Sequence, residues 1–318
     1  MFFIKSSILI TAVAFVTLNA KAQKNTLLID TAFSNENKTN NKKQKWVLAG
    51  SITTYAGLTA GLYSSWYRNY EFKKFHFEND NKKWLQVDKA GHAWSGYIQG
   101  RINIPLWQHS GIEHKKAVWI GGLTGFAYMN VVEIMDGFSS GWGFSWGDYI
   151  ANIAGSSLLI SQELAWKEQK VLFKFSYYPK QYNGQILQER ATQIYGEGFS
   201  ERLLNDYNGH IYWLSVNPAS FLKKSPFPRW LNIALGYGAD GMLGEATNVW
   251  TNKNGIEFDR RDIKRYRQLY ISPDLDLSRI KTNSKLLKKT FFVLNCFKFP
   301  APAIEFSNNK AHFRWLGF

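Results

Sequence analysis

The chain has a single cysteine, Cys296, among 318 residues. One thiol cannot make an internal disulfide, and it cannot supply a zinc site built on cysteine pairs. Its setting, Val293-Leu294-Asn295-Cys296-Phe297, reads as a small buried apolar position. Acidic residues are also scarce relative to basic ones, 24 against 39, for a formal charge of +15. No Ser-His-Asp order, phosphate-binding glycine loop, two-histidine spacing or internal repeat is present, so the common signatures of triad hydrolases, nucleotide enzymes and zincins are missing. Gly236 and Gly238, in Leu235-Gly236-Tyr237-Gly238-Ala239-Asp240-Gly241, read as a strand running into a turn.

What is present begins with an export signal. Lys5 precedes the uncharged, mostly apolar run from Ser6 to Leu18, and Ala20-Lys21-Ala22 offers a cleavage site before Gln23. This is the pattern of a secretory signal over residues 1–22. With no cysteine nearby, the mature terminus is expected to carry no lipid. Export removes nucleic acid from the plausible partners. The basic residues lie in small clusters, at Lys42-Lys43, Lys73-Lys74, Lys115-Lys116 and Lys288-Lys289. Spread in this way, they fit either a solvated surface or anionic lipid headgroups. The 13 tryptophans, many at the ends of apolar segments, fit a membrane interface or an ordinary core. Membrane lipid or other envelope components are the expected partners.

Residues 23–44 are polar and read as a disordered leader. Trp46 to Tyr67 carries no charge and is long enough to cross a bilayer. Its small-xxx-small pairs, Ala56/Ala60 and Gly57/Gly61, favour close helix approach. Lys42, Lys43 and Lys45 would sit on the wrong side for an inner-membrane span, which favours a periplasmic or membrane-resting helix. Further helices are expected over about Trp84–Trp107, ending near Pro105, then Lys116–Met135 with Gly121/Gly125, and Asp148–Lys170, with Ser145 or Asp148 as cap. Beyond residue 170 the texture turns strand-like. Strands are expected around Phe173–Tyr177, His210–Val216, Leu231–Tyr237 and Arg267–Ile280, with a final hairpin of Ala303–Phe306 and Ala311–Trp315. Ser284–Phe297 reads as a helix. Counting back by two from Phe318 mixes Leu316 with Arg314 and His312, which argues against a last barrel strand. The expected class is α+β: a membrane-affine bundle of about four helices over 45–170, then a mixed, strand-containing region over 171–318.

Three helices each carry a short polar stripe. Asp88 and His92 are four apart. Glu133 and Asp136 are three apart, and so share a face as well. Asp148 and Asn152 are again four apart, followed by Gly155. Buried charges must be paired or neutralised, so the stripes are expected to meet. Three readings of such a cluster remain open. His92, Asp88, Glu133 and Asp148 could serve acid–base catalysis. His92, Glu133 and Asp136 could hold a divalent metal. Asp88, Lys89, His92, Glu133, Asp136, Asp148 and Asn152 could equally form a structural network, with Lys89 or Arg101 neutralising acids.

The ordered elements Asp88-Lys89-Ala90-Gly91-His92, Glu133-Ile134-Met135-Asp136, Gly141-Trp142-Gly143-Phe144-Ser145-Trp146-Gly147-Asp148 and Asn152-Ile153-Ala154-Gly155 closely resemble the YfiM-like family of predicted periplasmic lipoproteins of unknown function. More distantly they resemble VanZ-type membrane proteins, associated with glycopeptide resistance. The resemblance covers about residues 84 to 166. It implies an envelope location and a helical core, without a reaction. The chain departs from that family in lacking a lipidated cysteine and in its long C-terminal half. Together these readings point to an exported envelope protein with an accessory or structural role at a membrane surface. The alternatives are a hydrolase or transferase on an envelope lipid or glycan, and a metal or small-molecule binder.

Overall fold

The computed structural model describes residues 41–317 apart from 223, 225 and 253. The expected signal and most of the expected leader lie outside these residues. The chain is α+β: among the described residues it has seven α-helices, and an antiparallel sheet in its C-terminal part. It divides into two units. The first comprises the described residues up to 79, then 92–169 and 281–293; the second comprises 80–91, 170–280 and 294–317.

In the first unit, α1 runs from Asn41 to Ser65, so its first turn takes in the last residues of the expected leader. The next helix, α2, spans Val87–His109 and enters this unit at His92. Helices α3, His114–Gly137, and α4, Trp146–Trp166, follow. Pro105 does not end α2, which continues for four more residues. The helix closes where Ser110 bonds back, its N–H to the Leu106 carbonyl and its hydroxyl to the Trp107 carbonyl. Glycine sets how closely α2, α3 and α4 approach. A Cβ at Gly125 would overlap the carbonyl of Gly96, and one at Gly155 would overlap the carbonyl of Ala93. Backbone cannot yield to such a contact as a flexible side chain can. At these points the small residue is what lets the polar stripes of three helices come within reach of each other. α1 joins them through Tyr55, whose ring lies 4.8 Å from that of Tyr128 and whose hydroxyl accepts from the Asn103 amide. Among the described helices only α3 is long and apolar enough to cross a membrane; the core helix of a water-soluble protein has the same composition. The uncharged stretch of α1 does not reach that hydropathy.

Segment 80–91 belongs to the second unit and explains why α2 starts later than expected. Trp84, Leu85 and Gln86 have φ of 47°, 48° and 65°, a region that disfavours side-chain-bearing residues. The segment is held there by its contacts. The Trp84 N–H donates to the Glu245 carbonyl, the Tyr237 hydroxyl donates to the Leu85 carbonyl, and the Trp84 ring packs on Tyr207 and Tyr195.

The sheet of this unit is built from β1 Val171–Tyr177, β2 His210–Val216, β3 Leu231–Asp240, β6 Tyr266–Leu275, β7 Ala301–Ser307 and β8 Lys310–Gly317, in that spatial order and antiparallel throughout. Strands β4, Val249–Thr251, and β5, Glu257–Asp259, form a separate hairpin. Helices α5, Gln185–Tyr195, and α6, Phe199–Asn205, were not anticipated from sequence, while α7, Lys285–Leu294, lies inside the helix expected there. Residues 296–298 close part of the β1 edge: Phe175 N–H donates to the Cys296 carbonyl, and Lys298 N–H to the Phe175 carbonyl. The inner face of the sheet packs Trp213 and Tyr270 among buried polar groups. Lys174 is fully buried and pairs with Asp274 at 2.8 Å; Asp274 also accepts from Ser215 Oγ at 2.6 Å and Phe299 N–H at 3.0 Å. Such a pair survives burial because its remaining hydrogen-bonding capacity is met.

Candidate functional site

The loop between α3 and α4 is pinned by an extended segment from the end of α1. Lys73 N–H donates to Phe138 O, His76 N–H to Gly137 O, Phe144 N–H to His76 O, and Glu78 N–H to Phe144 O, all within 2.8–2.9 Å. The glycines of Gly141-Trp142-Gly143 make room for this segment: a Cβ at Gly141 would meet the Tyr70 ring and one at Gly143 would meet Glu78. Phe72 stacks on Phe138 and Tyr70 tilts against Trp142. With the loop fixed, Ser145 becomes the N-cap of α4. Its hydroxyl accepts from Asp148 N–H at 3.1 Å, and its own N–H donates to Glu133 Oε2 at 3.2 Å. One residue therefore caps α4 and anchors the last turns of α3.

This arrangement brings His92, Glu133, Asp148 and Asn152 together inside the first unit. His92 Nδ1 lies 3.2 Å from Asn152 Oδ1 and 3.4 Å from Glu133 Oε1, while Nε2 lies 3.9 Å from Asp148 Oδ1. Glu133 is 1% exposed, Asp148 is buried, and the His92 side chain keeps 19% of its surface. Glu133 Oε1 accepts no hydrogen bond, and neither does the Asn152 amide donate one. Burial pushes the Glu133 carboxyl up to about 8; the Asp148 and Asp136 charges push the same way, against the pull of the His92 imidazole and the Ser145 N–H.

Asp136, expected among the metal ligands, is engaged elsewhere. It accepts the Tyr67 hydroxyl at 2.6 Å, and the set of converging ligand atoms comprises His92, Glu133 and Asp148 without it. Burial, then the Asp136 carboxylate, holds the Tyr67 phenol protonated well above its ordinary range. Asp88 and Lys89 belong to the second unit, where Lys89 pairs with Asp80 at 2.5 Å and with Asp88 at 3.1 Å. Arg101 lies over the Phe292 ring, 5.1 Å from its centre. Sequence reasoning missed Ser145 as a bond to Glu133, and Tyr67 as the partner of Asp136. Only the cap signature of Ser145 was visible in the sequence.

Chemically, one imidazole and two carboxylates present three donor atoms within 4.8 Å of each other. Donors on one zinc-sized ion, bound at about 2.0–2.2 Å, lie no more than about 4 Å apart, so modest side-chain rotation closes the set. Without a cation, the same groups can share protons: neutral Glu133 beside an imidazole is a competent acid–base pair.

A family model described as "Predicted periplasmic lipoprotein (DUF2279)" matches residues 75–161. The match takes in the end of the pinning segment, His92, Glu133, the Gly-Trp-Gly loop, Asp148 and Asn152. It supports an exported, periplasm-facing envelope protein and names no activity. No curated protein matches the chain, and no solved structure does.

Proposed function

We propose that this chain is an accessory protein of the cell envelope whose helical unit holds a divalent cation at His92, Glu133 and Asp148. The observation that carries the reading is Glu133: a carboxylate 1% exposed, with an oxygen that accepts no hydrogen bond and faces both an imidazole and a second buried carboxylate. Burial of that kind is costly for a lone acid, and a cation bridging the two carboxylates removes the cost. Imidazole with carboxylates suits zinc, manganese or iron. Asn152 and the Ser145 N–H orient the ligands from outside the set, as outer partners do at metal centres. The accessory role rests on the cluster's composition. It shows no Ser-His-Asp or Cys-His arrangement: Ser145 Oγ accepts from the Asp148 N–H at the α4 cap, and Cys296 belongs to the second unit. The finer kinship with YfiM-like proteins rests on the ordered Asp88–His92, Glu133–Asp136, Gly141–Asp148 and Asn152–Gly155 runs, and the fainter one with VanZ-type proteins on the Asp-Lys-x-x-His, Glu and Asn-x-x-Gly elements alone.

A second reading has one observation in its favour. His92 alone of the three is partly open to solvent, as a general base acting on an envelope lipid or glycan would be, with Glu133 or Asp148 orienting it. The test serves both readings. Purified full chain and its His92→Ala variant are analysed for bound metal, and their thermal unfolding is followed with and without chelator. One bound equivalent, lost with His92→Ala, and a chelator-sensitive midpoint in the wild type alone are expected. Metal-free protein that is indifferent to chelator overturns the cation. In that event, a destabilised His92→Ala indicates a structural network, and an unchanged or more stable one indicates a catalytic histidine.

A further inference from the structure

The sheet of the second unit buries polar groups beside aromatic and alanine side chains on one face and leaves the other face apolar and exposed. Strand register places Leu214, Leu235, Ile271, Ile304 and Phe313 side by side across five strands, and each is 40% or more exposed. A row of five adjacent strands is roughly 20 Å wide. The flanking positions continue it. Leu269 and Phe306 lie on one side, and Trp315, two residues beyond Phe313, packs its ring on Phe313. The opposite face carries Lys174, Ser215, Asn232, Gln268, Asp274 and Glu305, all buried. They are linked by direct bonds such as Asn232 to Ser215, Gln268 to Glu305, and Lys174 to Asp274.

A sheet in water does the reverse, hiding its apolar face and wetting its polar one. The alternation seen here is that of strands whose outer neighbour is hydrocarbon, and monomeric soluble proteins rarely leave an apolar patch of this extent open. Charge adds a direction. Register brings the exposed basic residues Arg267 and Lys310 to the same end of the sheet, near the β6 start and the β7–β8 turn, where anionic headgroups would meet them. The sheet is not a closed barrel: its order runs from β1 to β8, and among the described residues no strand pairs with the outer edge of β8. Unpaired backbone groups are not tolerated in the middle of a bilayer. That places the face in the acyl layer of one leaflet, with the β8 edge among headgroups and water.

We propose that the outward face of the six-stranded sheet, centred on Leu235, Ile271 and Ile304, is seated in one leaflet of a lipid bilayer. This stands independently of the cation site.

The single cysteine makes the test direct. In the full chain carrying Cys296→Ser, Leu235→Cys is introduced and labelled with an environment-sensitive fluorophore. Ile304→Cys in the same row serves as a second probe should the first variant fail to fold, as judged by circular dichroism. Asn254→Cys, in the exposed β4–β5 turn, is the control. Each is mixed with vesicles of phosphatidylethanolamine and phosphatidylglycerol with or without an acyl-chain quencher. A blue shift on vesicle addition and loss of fluorescence to the lipid-borne quencher are expected at 235 or 304. At 254 the label should stay open to iodide. Overturning results are iodide access at 235 and 304 with no lipid-borne quenching, or a blue shift that grows with protein concentration in the absence of lipid. The latter would make the occupant a second copy of the chain.

Discussion

Replacing Glu133 by glutamine keeps the shape of the buried carboxyl and removes its proton equilibrium, so it isolates how that one group couples folding to pH. In the cation-free protein the carboxyl is raised from 4.5 to about 8, chiefly by burial. The sign follows from proton counting. Below about pH 4.5 both folded and unfolded chains hold the proton, and the group is neutral to stability. Between there and about pH 8 the unfolded chain ionises while the folded one keeps its proton, so stability falls as pH rises; above about 8 both are ionised and the fall ends. At about 1.4 kcal/mol per unit, the wild type should lose roughly 4 kcal/mol between about pH 5 and about pH 8 relative to Glu133→Gln, and about half that if the imidazolium of His92 compensates. Urea unfolding of both proteins across this range, with chelator present, measures the difference directly, because every other titrating group is common to the two. Parallel stability profiles would refute the reasoning. Added metal should flatten the wild-type profile and leave the variant's unchanged, since the ion displaces the proton from Glu133.

Two further substitutions test what positions each unit. Gly155→Ala puts a methyl group into the Ala93 carbonyl and should cost about 3 kcal/mol or more in urea unfolding, because backbone is what must move; a loss below 1 kcal/mol would show that α2 and α4 are free to part. Lys174→Met leaves Asp274 buried with Lys298 at 3.8 Å as its remaining cation and should cost about 3–5 kcal/mol, read as a lowered unfolding midpoint; a neutral outcome would mean that Lys298 takes over the pairing.

The helix stripes that supply His92, Glu133, Asp148 and Asn152 are local and so left a trace in the sequence, although the residues that meet are as much as 60 positions apart. Each helix shows its polar residues three or four apart on an apolar background, and the partner spacing follows from helix geometry alone. The role of Asp136 left no such trace, because its partner Tyr67 is 69 residues away and reaches it through the extended segment that follows α1. The left-handed run at Trp84–Gln86 is equally non-local. It shortens α2 at its start for the sake of contacts with Glu245, Tyr237 and Tyr207, none of which a helix pattern can show. Helix α5 did carry a signal, with Ala191 and Tyr195 buried four apart between Gly184 and Gly196. Its polar composition masked it.

The last hairpin shows why counting from a terminus misleads. Counted back by two from Phe318, the final strand mixes Leu316 with Arg314 and His312, and neither face is consistently apolar. The turn at Asn308-Asn309, both with positive φ, instead fixes Ala311 opposite Phe306 and Phe313 opposite Ile304. Between Ala303↔Arg314 and Ala301↔Gly317 the register then slips, three residues of β8 against two of β7. A bulge of this kind moves every later side chain to the other face, so parity measured from the end describes only the residues beyond it. Measured from the turn, Phe313 joins the apolar row while Arg314 points to the polar side and pairs with Glu305 at 2.8 Å. Arg314 and, opposite Glu305, His312 remain open to solvent on that side, where the sheet ends. The outward apolar row is therefore continuous from Leu214 of β2 through β3, β6 and β7 to Phe313 of β8. A fold that keeps Lys174, Asp274 and Glu305 dry while leaving Leu235, Phe306 and Phe313 open is uncommon in water, and the proposed seating of this face in a leaflet would relieve that imbalance.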